Sequence, residues 1–372
     1  MKKQYKHKLL PTETHDELAR ENYSVELSQS ISSEIFPFTK NILNNTVSKY
    51  DLPKEKKLRI SFLRKKLLSN SLYKYWSSLK RTSQEILFDT VSEIVFSQSD
   101  KLNSTAARIN KKNKNFSTKK NIAIPNYISA VDIHCMPGGY TCQNIKNDIY
   151  PGSLYDRSLY LYSRGALGPY NDDIGNSVCI WLKKRYCNFF PKTILDLGCS
   201  VGNNTLPYKK YFPNAIVFAI DISEPLIRYA NARATLLNYK EIYFSQQNAE
   251  STNFKPDSFD LLVSHLLGHE TSLKALKKII CESYKLLNKG GKMLHIETDW
   301  EAKKNIFNMS VLDWETHFNA EPFKTTMECL NKKNLALEAG FKEKNIFECI
   351  ISSKNIDGKY IKGKWKVFGA VK

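Results

Sequence analysis

The hydrophobic positions of this chain change rhythm twice. Over the first hundred residues they recur at three- and four-residue steps: Ile60, Leu63, Leu67, Leu68 and Leu72, then Ile86, Leu87, Val91, Ile94 and Val95. Such spacing puts the apolar side chains on one face of a helix. The stretch has no glycine and no hairpin signal, so it predicts a helical accessory region. From Lys101 to Lys120 there is no acid, only Lys and Arg among Asn and Ser, a composition that predicts a solvated basic linker. Tyrosine and glycine then crowd residues 126–190, where the Pro-Gly-Gly inside His134–Tyr140 reads as a turn-rich loop. A helix from Ile174 to Phe190 leads out of it. After Thr193 short apolar runs alternate with amphipathic ones: strands at 193–197, 215–220, 242–246, 259–263 and 292–297, with helices between them. Residues 298–322 break the rhythm and read as an insertion. A helix to Ala339, a Gly340-Phe341 turn and strands at 342–350 and about 364–371 finish the chain.

Alternating strands and helices imply an α/β fold, a doubly wound and mostly parallel sheet covered on both faces. The expected organisation is therefore a mainly helical part with its basic linker (1–125), a Tyr/Gly-rich lid with a lead-in helix (126–190), and a sheet domain (191–372). Length agrees, since 372 residues suggest about two domains. A formal charge of +19 raises nucleic acid or an anionic membrane as partners. The excess is mostly Lys scattered with Asn, however, and the most basic run has Phe116 as its one aromatic, so nucleic acid is not expected. Eight cysteines without a CxxC pair suit reduced thiols and a cytoplasmic protein. Leu9, Leu10 and Pro11 are followed by the polar Thr12–Glu17, so no secretory signal is expected. No run approaches the roughly 20 apolar residues of a membrane span.

Candidate chemistry gathers where strands end. Thr193–Leu197 runs into a turn containing Gly198, Ser200 and Gly202, a corner that lets a ligand lie against the backbone under the following helix. Asp221 closes the second strand 19 residues after Gly202, close to the roughly 20-residue interval at which an acid takes ribose hydroxyls. Asn248 and Ala249 follow the third strand, placed for an adenine edge.

These residues resemble a class I S-adenosylmethionine-dependent methyltransferase of the small-molecule type. The marks are DLGCSVG (Asp196–Gly202), IDIS (Ile220–Ser223), QNAES (Gln247–Ser251), FDLLVSH (Phe259–His265) and LLNKGGKM (Leu286–Met293), over about half the chain. The resemblance implies a Rossmann-like methyltransferase fold with an antiparallel last strand, and S-adenosylmethionine as cofactor. Asp196, Gly198, Ser200 and Gly202 would hold the amino-acid end, Asp221 with Ile222 the ribose, Asn248 with Ala249 the adenine, and His265 the region near the methyl group. The family usually has a third glycine where this chain has Ser200, and often Asp in place of Asn248. Methyl transfer needs alignment and a proton acceptor. The candidate bases beyond the fourth and fifth strands are His265, His269, Glu297 and Asp299. Tyr140, Tyr155 and Trp300 are candidates for substrate contact. No metal is expected, although the spacing of His265, His269 and Glu270 admits one, and His134 with Cys135 and Cys142 is a second weak set.

Two rival readings share the corner. Gly198-Cys199-Ser200-Val201-Gly202 is also the G-x-S-x-G of a serine hydrolase elbow. Against it, the preceding residues look helical, a hydrolase has no use for Asp196 together with Asp221, and no His follows His317. The other rival is a non-catalytic cofactor-binding regulator, which the intact Asp196, Gly198, Gly202 and Asp221 disfavour. The run after Val263 is SHLLGHE, not the Pro-Pro-aromatic or Pro-Cys sequences of nucleic-acid methylation. The expected acceptor is a small organic molecule, aromatic or lipid-like, with the acceptor atom open. The helical first hundred residues serve as a lid or a docking surface, and the oligomeric state stays open.

Overall fold

A computed structural model describes residues 3–113, 115–119, 122–298, 306–354 and 359–372. The N-terminal part folds as α1 (His15–Ser30), α2 (Phe36–Val47), α3 (Lys56–Leu67), α4 (Ser71–Ser97) and α5 (Ser99–Lys112), then a short strand β1 (Phe116–Ser117). Helices α6 (Asn126–Ser129), α7 (Tyr150–Tyr162) and α8 (Asp173–Arg185) lead into the sheet. Its strands are β2 (Thr193–Leu197), β3 (Ile216–Asp221), β4 (Ile242–Gln246), β5 (Phe259–His265), β6 (Leu287–Thr298), β7 (Ile346–Lys354) and β8 (Tyr360–Val371). Between them run α9 (Leu206–Tyr211), α10 (Glu224–Leu236), α11 (Leu273–Leu286), α12 (Ile306–Phe318), α13 (Lys324–Cys329) and α14 (Lys332–Ala339).

The strand order is β1-β4-β3-β2-β5-β6-β8-β7. Strands β1 to β6 pair in parallel, and β8 lies antiparallel between β6 and β7. Local chemistry explains the ends. Ser223 caps α10 through Leu226 N with Pro225 in its first turn, and Ser272 caps α11 through Ala275 N. Gly340, at φ +111°, closes α14 in the left-handed conformation. Alternate strand residues face opposite layers: Ile194, Val217 and Val263 pack on α8, α9 and α10, while Leu195, Leu197 and Leu262 pack on α11 and α14. Strands buried on both faces read as continuous apolar runs, which made them legible.

Two expectations need correction. The basic run taken as a linker is α5 followed by β1. Leu102, Ala106 and Ile109 share one face of α5 and pack against Leu154 of α7 and Tyr229 and Ala232 of α10. Phe116 pairs with Phe244, adding an edge strand to the sheet. The apolar stripe is sparse and its lysines dominate the composition, so charge concealed it. The strand expected at 292–297 begins earlier, at Leu287, and a register shift against β5 accommodates Gly290 at φ +80°.

The helices are built onto the sheet domain. Leu9, Val25, Leu87 and Val91 share a core with Val201, Leu226 and Tyr229. A further core joins Ile60, Leu63, Tyr73 and Trp76 to Met309, Val311 and Trp314 of α12, with the Trp314 indole donating to Ser77 Oγ at 2.8 Å. Residues from both regions therefore stand over the carboxyl ends of the strands. Among the described residues no helix is long and apolar enough to cross a membrane.

Candidate functional site

At the end of β2 the chain turns sharply, and Gly198 N and Cys199 N both donate to Ile220 O, at 2.8 and 2.9 Å. This ties the corner to β3. Gly198, Ser200 and Gly202 have φ of +70°, +48° and +74°. A Cβ on Gly202 would stand 3.3 Å from the Phe244 ring, a tight contact, and its positive φ favours glycine there. Asp221 accepts Ser200 N through Oδ2 and Ser223 N through Oδ1, each at 2.9 Å. Burial pushes its carboxyl up to about 6, against the downward pull of these backbone bonds. Ser223 Oγ donates to Tyr140 O at 2.6 Å, drawing the Tyr/Gly-rich loop onto the strand ends.

These groups open on one cavity of about 410 Å³. Gly198, Ser200, Asp221, Ile222, Asn248 and Ala249 line one half of it. Asn248 Oδ1 is engaged by Glu250 N at 2.8 Å, and the buried Ser200 hydroxyl lies beside the Tyr155 side chain. Tyr140 and Tyr155 stand in the same cavity, edge to face with ring centres 5.9 Å apart. Trp300 and Asp299 lie outside the described residues.

The two histidines after β5 part ways. His265 places Nε2 at 2.9 Å from Tyr208 OH and Nδ1 at 3.4 Å from Asp196 Oδ1, while Asp196 Oδ2 accepts Thr205 Oγ1 at 2.6 Å. Nε2 of His265 is thus engaged by Tyr208, Asp196 Oδ1 is buried without a hydrogen-bond partner, and the ring edge touches the cavity. His269 instead turns to β6, with Nδ1 at 2.6 Å from Glu297 Oε2, and Glu297 Oε1 accepts Gly268 N at 2.8 Å. Burial would raise the Glu297 carboxyl, but His269, Lys324 and Lys332 outweigh it and hold it below its ordinary range. Glu297 stands behind the cavity wall, and His269 lines it.

The same cavity holds a group the sequence had scattered. His134 Nε2 lies 3.1 Å from Glu270 Oε1, and its Nδ1 lies 3.3 Å from Glu321 Oε1. His269 Nε2 faces Glu270 Oε1 at 3.6 Å and Glu321 Oε2 at 3.8 Å. Tyr140 OH donates to Glu270 at 3.3 Å, and Lys324 pairs with Glu321 at 3.1 Å. Burial alone would lower the His134 imidazole, but Glu321 and Glu270 on either side raise it to about 10. Glu321, from the insertion, carried no sequence signal beyond being an acid before Pro322 and Phe323. The Cys135 and Cys142 set does not form around His134, and burial pushes the Cys135 thiol up to about 11.

The serine hydrolase reading finds no support in this geometry. Ser200 Oγ has no histidine among its described contacts, and His265 Nε2 pairs with Tyr208 OH instead. Residues 194–291 match the family model of a methyltransferase domain. This part of the chain is a class I S-adenosylmethionine-dependent methyltransferase domain. Its curated relatives include a malonyl-[acyl-carrier protein] O-methyltransferase of Bacillus cereus, 30% identical over 25% of this chain and 33% of that protein. A demethylmenaquinone methyltransferase of Lactococcus lactis is 31% identical over 31% of this chain and 45% of that protein. The chain thus spans less than half the length of either. Among solved structures, Haemonchus contortus phosphoethanolamine N-methyltransferase 2 in complex with S-adenosyl-L-methionine matches with a TM-score of 0.41 and 15% identity. That match covers 58% of this chain and 57% of the other. The residues of the methyltransferase domain fit a nucleoside ligand: Asp221 offers acceptors at the strand end, and Gly198, Ser200 and Ile222 line the same space.

Proposed function

We propose that the protein binds S-adenosylmethionine over the glycine corner and methylates a small organic acceptor held in the same cavity. The observation that carries this reading is the single cavity. Its lining includes Gly198, Ser200 and Asp221 together with Tyr140, Tyr155 and the His134–Glu270–His269 group. When bound, the donor supplies an already activated sulfonium methyl group. The protein's part is to hold, align and dry the site. Asp221 accepts from the ribose hydroxyls, a charge-assisted contact. Gly198 and Ser200 give the amino-acid end access to backbone, and Ile222, Asn248 and Ala249 border the base. Tyr140 and Tyr155 flank the acceptor, while Phe88, Ile133, Met136 and Leu159 exclude water from it. With no cation bound there, proton acceptance falls to the His269–Glu270 side of the cavity, because both residues line it, whereas His265 Nε2 pairs with Tyr208 and Glu297 is bound behind the wall. The eight unpaired cysteines support a reducing compartment, the cytoplasm.

Titration calorimetry with S-adenosylmethionine tests the reading. The parent protein should bind one equivalent, and Asp221→Ala should weaken binding by roughly 10- to 150-fold, the worth of a hydrogen bond to a charged group. Equal binding by the variant would sink the assignment of Asp221. No heat with the parent would end the reading altogether, while binding without turnover of any acceptor would favour the non-catalytic alternative.

A further inference from the structure

We propose that His134, His269 and Glu270 form a binding site for one divalent transition-metal ion of the zinc class, in the acceptor half of the cavity. Their three ligand atoms all lie within 4.8 Å of one another. The closest pairs, His134 Nε2 to Glu270 Oε1 and His269 Nε2 to Glu270 Oε1, are 3.1 and 3.6 Å apart. Ligands about 2.0–2.2 Å from a tetrahedral zinc stand about 3.3–3.6 Å from each other, so these separations already approximate two edges of a coordination tetrahedron.

The surroundings repeat one arrangement twice. Each imidazole turns Nε2 toward Glu270 and presents Nδ1 to a buried glutamate, His269 to Glu297 at 2.6 Å and His134 to Glu321 at 3.3 Å. A carboxylate behind Nδ1 fixes the tautomer that leaves Nε2 as a ligand, the usual second support of metal-bound histidines. Glu270 Oε2 is buried without a hydrogen-bond partner, spare capacity that a cation would use. Three glutamates, Glu270, Glu297 and Glu321, thus converge on two imidazoles with the Lys324 ammonium at their edge. Three protein ligands leave a fourth position open, and all three residues line the cavity, so an oxygen or nitrogen of a bound acceptor would complete the coordination. Imidazole donors favour zinc, copper, iron or nickel over magnesium, calcium or manganese. The competing occupant is a proton, with imidazolium at His134 bridging Glu270 and Glu321. The ligand set stands on the geometry alone, and the role of its open position rests on the methyltransferase reading.

The test is metal binding by the full-length protein. After chelator treatment, titration with Zn²⁺ against a chromogenic chelator should show one tight equivalent per chain, and Co²⁺ should give the visible bands of a histidine-ligated tetrahedral site. His269→Ala and Glu270→Gln should abolish that equivalent. Glu297→Gln should weaken it about 10- to 100-fold, and Cys142→Ser should leave it unchanged. Circular dichroism of each variant reports folding, and the cobalt spectrum of the parent serves if a variant misfolds. Less than a tenth of an equivalent in the parent, or retention in His269→Ala, overturns the proposal and assigns the cluster to a protonated His134. S-adenosylmethionine binding by the stripped parent is measured alongside, so that loss of the metal site with donor binding intact leaves the proposed activity standing.

Discussion

Asp173 shows how burial tunes a single residue here. Its Oδ2 accepts Trp365 Nε1 at 3.2 Å and also Ser353 Oγ, and Oδ1 is buried without a hydrogen-bond partner. Burial pushes the carboxyl up to about 7, further than the two donors pull it down. In the unfolded chain it titrates near its ordinary value of about 3.9. Between those limits the folded protein keeps a proton that the unfolded chain has released, so stability falls as pH rises, by at most about 1.4 kcal/mol per pH unit. Asp173→Asn keeps an acceptor for Trp365 and Ser353 without the charge. Its thermal melts should therefore be flatter than the parent's between about pH 4 and pH 7, with its greatest advantage above pH 7. Parallel melting profiles for the two proteins would contradict this. Asp221 differs because its raised carboxyl faces the cavity, where ligand hydroxyls can repay its ionisation.

At the scale of elements, the glycine corner is held by a helix packed closely against it. Gly175 in α8 donates its N–H to Asn204 Oδ1 at 3.0 Å. A Cβ there would meet Asn204 O at 2.5 Å and Pro207 Cγ at 2.9 Å, and a backbone carbonyl cannot swing aside. Gly175→Ala should therefore push α8 away from the turn that follows Gly202. The expected cost is about 1–3 kcal/mol, as for other overpacked cores, with donor binding weakened in step. A chemical denaturation midpoint equal to the parent's would show that the turn yields more easily than its contacts suggest. Elements also explain what the residue pattern revealed. The strands β2 to β5 and the capped helices α10 and α11 were legible because apolar runs and Ser caps are local signals. Helix α5 was not, because Leu102, Ala106 and Ile109 stand among Lys101, Arg108, Lys111, Lys112 and polar Asn and Ser residues.

Across the whole molecule, a buried polar junction fastens the N-terminal helices to the sheet domain. Asp156 of α7 faces His7 Nε2 at 3.3 Å, Tyr229 OH at 2.8 Å and Arg233 Nε at 3.1 Å, and the neighbouring Arg157 pairs with Glu21 of α1. Burial would raise the Asp156 carboxyl, but Arg233, His7 and Tyr229 hold it far below the usual carboxylate range. Removing one member of such a set leaves the other charge buried and unpaired. Asp156→Ala should therefore destabilise the protein by about 3–5 kcal/mol and expose the first thirty residues to limited proteolysis. An unchanged denaturation midpoint together with an unchanged digestion pattern would show that the helices are fastened elsewhere. On the opposite side, α12 joins the same helices through Trp314 and a 2.6 Å Lys80–Glu315 pair. Glu321 follows just after α12, so the acceptor half of the cavity depends on contacts spanning more than 200 positions.

The sequence by itself determined the α/β order, the glycine corner and the acid that closes β3, because each is written in consecutive residues whose spacing follows strand and helix geometry. It also supplied His134 in one weak metal set and His269 with Glu270 in another. Only the tertiary structure regrouped them, turning His265 to Asp196 and bringing His134 to Glu270 with Glu321 beside it. The physical reason is separation along the chain. A helix period places neighbours three or four residues apart, whereas His134, Glu270 and Glu321 meet only because α4, the Tyr/Gly-rich loop and the insertion pack over the same strand ends.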